Sequence, residues 1–184
     1  MSKLPRISHF DFSKGASMKP KKIAYLGISV ALALVLSFVE ARLAFFIPIY
    51  GAYGIKVGLA NLVIVFILYK TSIGEAAAVS IVRVALSSLL FGNLQIFVFS
   101  LAGAILSIAG MWLMKKFTEF SYITVSVVGA ILHNLGQIAV AVLWTQTKEI
   151  ALYFPILLIT GTAAGVVIGL ISGMLLKRLE KLKM

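Results

Sequence analysis

An arginine inside an apolar stretch is the residue of this chain with the clearest chemical meaning. Arg83 lies near the middle of residues 76–91, which we predict to be a membrane-spanning helix. A charge at that depth costs about 2.5–3.5 kcal/mol on insertion scales, so it needs a partner or a polar surrounding. Two interpretations stay open. Arg83 forms a structural ion pair with Glu40 or Glu75, or it lines a polar cavity that holds an anionic or carbonyl-bearing ligand.

A second group of polar side chains lies in another apolar stretch. His133, Asn134 and Gln137 fall within five residues of the predicted fifth span. His133 and Gln137 share a helical face, because residues at i and i+4 are neighbours on a helix. Asn61 on the second span and Asn93 near the 3–4 turn add two amides. One buried polar residue would only hydrogen-bond a neighbouring helix, whereas this set predicts a ligand-binding pocket.

The chemistry expected of this pocket is binding, not catalysis. A lone intramembrane His is a poor metal site, since no second His or carboxylate has suitable spacing. The single Asp of the chain is Asp11, so no aspartate-rich magnesium site can hold a diphosphate, and there is no cysteine. A Gly-rich phosphate loop is also missing. We therefore predict that the protein is not an enzyme, binds no metal or cofactor, and depends on a partner for any ATP-driven step.

The segment between the first and second predicted spans is a candidate lid over the pocket. Residues 47–56 combine Pro48, Gly51 and Gly54 with Tyr50 and Tyr53. Proline and glycine favour turns and hinges, so this loop would close over an outward-facing pocket and bring both tyrosines to the ligand. The other interpretation is an ordinary interfacial loop whose tyrosines belong to the aromatic belt.

Composition shows that membrane helices must position these residues. Of the 184 residues, 61% are hydrophobic and 12% are charged, and the mean hydropathy is +1.06. A soluble fold of this composition would expose large apolar patches and aggregate, and disorder needs low hydrophobicity. About 20 residues are needed to cross a hydrocarbon core of about 30 Å. We predict an all-α bundle of six transmembrane helices, with short second and third spans, at residues 23–41, 57–70, 76–91, 96–114, 122–144 and 156–176.

The distribution of Lys and Arg predicts the orientation. Thirteen of these residues lie in the basic arm (1–22), the 2–3 and 4–5 loops and the tail (177–184), whereas three lie in the remaining loops. Cytoplasmic loops carry the excess of cations, so both ends of the membrane domain (23–176) are expected in the cytoplasm. Met18 offers an alternative start within the arm. The excess of basic residues is thus explained by the orientation of the protein in the membrane, and no nucleic-acid partner is expected.

Two stripes of small residues predict close helix packing, because small residues let backbones approach in lipid. They recur every four residues in the sixth and the first span: Gly161, Gly165, Gly169 and Gly173, then Ser29, Ala33, Ser37 and Ala41. We interpret the glycine stripe as intramolecular packing. The stripe of the first span we interpret as a docking face for another membrane subunit.

Several segments in this order resemble one family: Gly58–Asn61, Arg83–Val84, Leu89–Gly92, Ser100–Ser107 and Gly129–Gln137. Over roughly residues 22–176 the chain resembles the Gx transporter family, also labelled heptaprenyl diphosphate synthase component I. That family is similar to the substrate-binding S components of energy-coupling-factor transporters. The resemblance implies a six-helix bundle in the plasma membrane of a bacterium. Such a bundle captures a vitamin-like ligand from outside and docks on a transmembrane coupling subunit driven by paired ATPases.

The expected function is therefore capture of a small anionic or carbonyl-rich ligand from outside, with a partner supplying the energy. The synthase label implies a different role, a noncatalytic membrane subunit in quinone or prenyl diphosphate biosynthesis. A third role follows from the family's likeness to components of flavin- and quinone-linked extracellular electron transfer, beside a flavoprotein. The missing aspartates contradict catalysis by this chain under the synthase label, and for the third role the chain has no flavin-attachment signature of its own.

Overall fold

The computed structural model describes residues 20–46, 58–117 and 120–181, and this part of the chain contains six α-helices and no strand. In chain order they are α1 (Pro20–Phe46), α2 (Leu59–Lys70), α3 (Ile73–Phe91), α4 (Leu94–Phe117), α5 (Tyr122–Thr145) and α6 (Phe154–Lys181). A 3-10 helix, Lys148–Tyr153, precedes α6. The all-α prediction is confirmed, and each predicted span lies largely within one of these helices.

Five of the described helical stretches are long and apolar enough to cross a membrane, so this is a multi-pass membrane protein. The exception is α2, which has 12 residues and therefore a length of about 18 Å at 1.5 Å per residue. The hydrocarbon core is about 30 Å thick. The sixth crossing therefore stays a prediction, and so does the placement of both termini in the cytoplasm.

Neighbouring helices enclose α2, which explains how so short a helix is tolerated. Ile64, Ile67 and Leu68 are each at most 1% exposed, and α2 packs against α1, α3 and α6. The carbonyls of its last turn lack partners within the helix. Lys115 of α4 donates to one of them, the Leu68 carbonyl, at 2.5 Å. Helix α2 thus forms a central part of the hydrophobic core.

The prediction that the third span is short is wrong, because α3 has 19 residues. It begins at Ile73 since Ser72 caps it, accepting a hydrogen bond from the Glu75 N–H at 3.4 Å. Ser121 starts α5 in the same way, accepting from the Thr124 N–H at 3.2 Å. Serine caps of this kind satisfy N–H groups that have no partner inside the helix.

The helix contacts close a ring in the order α1, α3, α4, α5, α6 and α2, and α2 also contacts α3. Consecutive helices run in opposite directions, as short connections favour. We call the end where α1 begins and α6 ends the terminal end, and the opposite end the distal end. Cations of the described residues cluster at the terminal end: Lys21, Lys22, Lys70, Lys115, Lys116, Lys177 and Arg178, against Arg42 and Lys148 at the distal end.

The glycine stripe of α6 lies against α5. A Cβ atom at Gly165 would lie 2.6 Å from the Cα of Val127, and one at Gly169 would lie 2.5 Å from the Cα of Ile123. The other two glycines of the stripe face side chains of α5, Gly161 next to Asn134 and Gly173 next to Tyr122. The two backbones therefore approach as closely as small residues permit in a membrane.

Part of the stripe of small residues on α1 packs inside the bundle, whereas Ala41 is exposed. The interpretation of the stripe as a docking face stays a prediction. Ala33 has no exposed surface and Ser29 is 7% exposed, and Ala33 belongs to the same core as α2. Ser37 and Ala41 line a cavity. In this arrangement the buried part of the stripe serves the packing of α1 within its own chain, because small side chains let α1 approach α2 and α3.

The close approach of α5 and α6 predicts opposite effects for two Gly→Ala substitutions. Gly165→Ala should lower the free energy of unfolding by about 1–3 kcal/mol, because its methyl group would meet the backbone of α5. Gly27→Ala on α1 is the matched control: a Cβ there meets nothing within 4 Å. It should leave stability unchanged or raise it by up to about 1 kcal/mol through helix propensity. Thermal unfolding in detergent measures both, and equal effects would contradict this packing.

Candidate ligand-binding site

A cavity of about 340 Å³ lies in the distal half of the bundle, next to the first turn of α2. Helix α2 begins there, directly after Gly58, whose φ of 72° lies in the left-handed region. All six α-helices of the described chain contribute to the cavity wall.

Arg83 projects from the middle of α3 into this wall. Its Nε atom is buried and has no hydrogen-bond partner among the described residues. Glu75, one of the two carboxylates considered as its partner, is ion-paired with Lys22 at the terminal end. Within the described chain, Arg83 is therefore not neutralised by Glu75.

Glu40 of α1 is the carboxylate that shares the cavity with Arg83. Its Oε1 atom accepts a hydrogen bond from the Gly58 N–H at 2.5 Å, which ties the end of α1 to the start of α2. The two charges attract each other, but no N···O distance of 4.0 Å or less joins them. A cation and an anion thus line one cavity without forming a closed ion pair.

Two of the three polar residues predicted on α5 line the cavity. His133 and Asn134 are in its wall, opposite Gly103 of α4 and Gly161 of α6. A Cβ at Gly103 would lie 3.0 Å from the Nδ1 of His133, and one at Gly161 would lie 2.6 Å from the Nδ2 of Asn134. These glycines make room for the two side chains. The Nδ2 of Asn134 also donates to the Leu157 carbonyl at 2.9 Å, which fixes the amide against α6.

The remaining predicted site residues divide into three cases. Asn61 lines the cavity from the first turn of α2. Gln137 and Asn93 are not in the wall, and the Oδ1 of Asn93 accepts from the Ile96 N–H at 2.9 Å to start α4. Tyr50 and Tyr53 lie outside the described residues.

Several residues of the cavity wall were not predicted from the sequence, and Glu40 is the most important of them. It lies near the end of α1, where an acidic residue is normally solvated, so only its ion-pairing potential was considered. Ser87 lies one helical turn from Arg83 and on the same face, a spacing that was a usable signal. Three hydroxyl groups line the cavity from three different helices: Ser37, Ser87 and Ser100.

The arrangement suits the binding of a small polar molecule. It offers one guanidinium, one carboxylate, an imidazole, amides and hydroxyls, with an apolar part formed by residues such as Phe91 and Ile168. A volume of about 340 Å³ is near the lower end of the range for small-molecule sites, about 300–1,000 Å³. Among the described residues, no three His, Cys, Asp or Glu side chains are grouped so as to hold a metal ion.

These features define a class: a multi-pass helical membrane protein that encloses a charged cavity. A family model assigns the chain further, since the model described as heptaprenyl diphosphate synthase component I matches residues 28–175. The chain belongs to this family, and the resemblance seen in the sequence is confirmed. The name denotes the noncatalytic component of a synthase. Neither the curated proteins nor the solved structures yielded a significant match.

The position of Arg83 predicts that its removal stabilises the empty protein. Arg83→Met should raise the free energy of unfolding of ligand-free protein by up to about 2.5–3.5 kcal/mol, the cost of an arginine at mid-membrane, because burial of this cation costs more than its attraction to Glu40 returns. Arg42→Met is the control, since Arg42 is exposed and only stacks on the Phe38 ring at 4.9 Å. Its effect should stay below about 1 kcal/mol. Thermal unfolding after exhaustive dialysis measures both, and destabilisation by Arg83→Met would indicate a structural ion pair instead.

Proposed function

We propose that this protein captures a small polar ligand from the outer side of the membrane and passes it inward with the help of an energy-supplying partner. The observation that carries the proposal is the cavity in which Arg83, Glu40 and His133 meet within a membrane bundle. Polar and charged groups at that depth are expensive. Their convergence from three helices is easier to explain by a ligand than by packing.

The expected side of entry follows from the charges at the two ends of the bundle. The cavity lies in the distal half, where Arg42 and Lys148 are the basic residues of the described helices, apart from Arg83 in the wall itself. The terminal end carries the larger number of cations, which favours the cytoplasm. The cavity would then open away from the cytoplasm of a bacterial cell, as in an S component.

The energy would come from another subunit. The sequence contains no phosphate-binding loop for ATP, so the proposed partner is a transmembrane coupling subunit with ATPases. Docking on α1 would use either the small-residue stripe, of which Ala41 is exposed, or the opposite face, which is exposed at Ile28, Leu32 and Val35. That face is apolar and suits either lipid or a membrane partner.

A second candidate function rests on the family description. A noncatalytic membrane subunit in quinone or prenyl diphosphate biosynthesis fits the name of the family. A role beside a flavoprotein in quinone-linked electron transfer rests on the resemblance seen in the sequence alone. Such a subunit would hold a quinone or an isoprenoid. A long isoprenoid chain needs an extended apolar channel, whereas this cavity is compact and charged, which is why ligand capture is the first proposal.

Ligand retention by purified protein tests the proposal and separates the two candidates. We expect native mass spectrometry of the wild-type protein to reveal a retained water-soluble molecule, which Arg83→Met loses although it remains folded. Arg42→Met should retain the molecule as the wild type does. A retained quinone or isoprenoid would favour the second candidate. Equal retention and uptake by Arg83→Met and the wild type would contradict the role of the cavity.

The absence of cysteine from the sequence makes the orientation directly measurable. In intact cells, a membrane-impermeant maleimide should label Lys148→Cys, at the distal end, and leave Lys177→Cys, at the terminal end, unlabelled. Both positions are exposed and both changes are Lys→Cys. Labelling of both after lysis is the control for reactivity, and the reverse pattern in intact cells would place the cavity on the cytoplasmic side.

A further inference from the structure

The cavity carries opposite charges on two helices that no ion pair joins. Arg83 comes from α3 and Glu40 from α1, and both side chains are in the cavity wall. We propose that the ligand has no net charge and presents two groups at once: a carbonyl or carboxylate that accepts from Arg83, and an N–H group that donates to Glu40. This inference rests on the proposed function and narrows the expected ligand, which the sequence alone left as anionic or carbonyl-rich.

The Arg83 side of the cavity selects a hydrogen-bond acceptor. A guanidinium has only donors, arranged as a planar fork that matches a carboxylate or a carbonyl edge. The Nε–H of Arg83 has no acceptor among the described residues although it is buried. A buried donor without a partner is costly, so a ligand oxygen at this point would satisfy a group that the protein leaves unpaired.

The Glu40 side selects a hydrogen-bond donor. An ionised carboxylate accepts and cannot donate. One oxygen, Oε1, is engaged by the Gly58 N–H, and Oε2 has no hydrogen bond to any described residue. The Oε2 atom thus remains for an N–H or ammonium group of the ligand. A ligand that carried only negative charge would bring like charges together in one cavity, which weakens binding.

The rest of the wall agrees with a compact molecule that both donates and accepts. Asn61, Asn134 and Ser100 can each do both. Ser37 and Ser87 can accept, since their hydroxyl groups donate to backbone carbonyls of their own helices. The apolar part of the wall, which includes Ala130, Ala164 and Ile168, would cover a hydrocarbon or ring portion. Two chemical forms meet these requirements: a zwitterion with ammonium and carboxylate groups, and an uncharged cyclic amide or ureide whose N–H and C=O groups lie side by side.

The first readout is the molecule that the wild-type protein retains. Extraction and mass spectrometry identify it, and electrophoresis at pH 7 gives its net charge, which we expect to be zero. Mobility at acidic and basic pH separates the zwitterion from the uncharged amide. Benzoate and inorganic phosphate, two purely anionic probes, should not displace it from the wild-type protein. A retained molecule with net negative charge would overturn the inference while leaving ligand capture intact.

The second readout is binding of the extracted molecule to charge variants, by isothermal titration calorimetry. Glu40→Gln should weaken binding roughly 10- to 100-fold, the value of one hydrogen bond to a charged group. Glu40→Asp, which keeps the charge, should recover part of that loss. Glu149→Gln is the matched control, because Glu149 is exposed in the 3-10 helix and is not in the cavity wall, and it should bind as the wild type does.

The outcomes separate the two proposals. Unchanged affinity in Glu40→Gln, or tighter binding of benzoate by the wild type than by this variant, would refute the charge-balanced ligand alone. A wild-type protein that retains no molecule, together with unchanged uptake in Arg83→Met, would refute ligand capture and the narrower inference with it. Should Glu40→Gln not fold, the net charge of the molecule held by the wild type still decides.

Discussion

The shortness of α2 is the constraint on which the rest of this structure depends. A helix of 12 residues cannot fill the thickness of a bilayer, and lipid cannot satisfy the polar groups at its ends. The protein meets this constraint by surrounding α2 with α1, α3 and α6 and by supplying Lys115 to its last turn. The cavity lies next to the other end of α2, and the charged residues Arg83 and Glu40 line it.

The cavity stays open because the neighbouring helices are fixed by other contacts. Helices α4, α5 and α6 approach closely through glycines, and a Cβ at Gly136 would lie 2.8 Å from the Ala102 carbonyl oxygen. A wall packed at backbone distance cannot move inward to fill the space beside it. On the other side, α1 is joined to α2 by Glu40 and to α3 by the Lys22–Glu75 ion pair. The cavity is thus built into the packing.

The membrane fold was predictable because long apolar segments and their flanking basic residues directly indicate which parts of a chain cross the membrane. Apolar stretches and their basic flanks located the helices, and an arginine in mid-span located one wall of the cavity. The rotation of each helix was not predictable, since it depends on neighbours that a single sequence does not reveal. That is why Gln137 was grouped with His133 although only His133 is in the wall. It is also why the small-residue stripe of α1 cannot by itself distinguish docking from internal packing: small residues suit a partner chain and the chain's own core equally.

Glu40 shows a further limit of the sequence. An acidic residue near a helix end is normally solvated, and only the three-dimensional approach of Gly58 reveals that it lines the cavity. Its presence changes the chemical meaning of Arg83. Alone, a buried arginine indicates an anion, and the family description points to a diphosphate. With a carboxylate in the same wall, repulsion between a diphosphate and Glu40 would oppose the attraction between the diphosphate and Arg83. Among the described residues, no metal-binding group would reduce this repulsion. If the cavity binds a ligand as we propose, Glu40 therefore argues for one that balances its own charge and against the product that the family is named for.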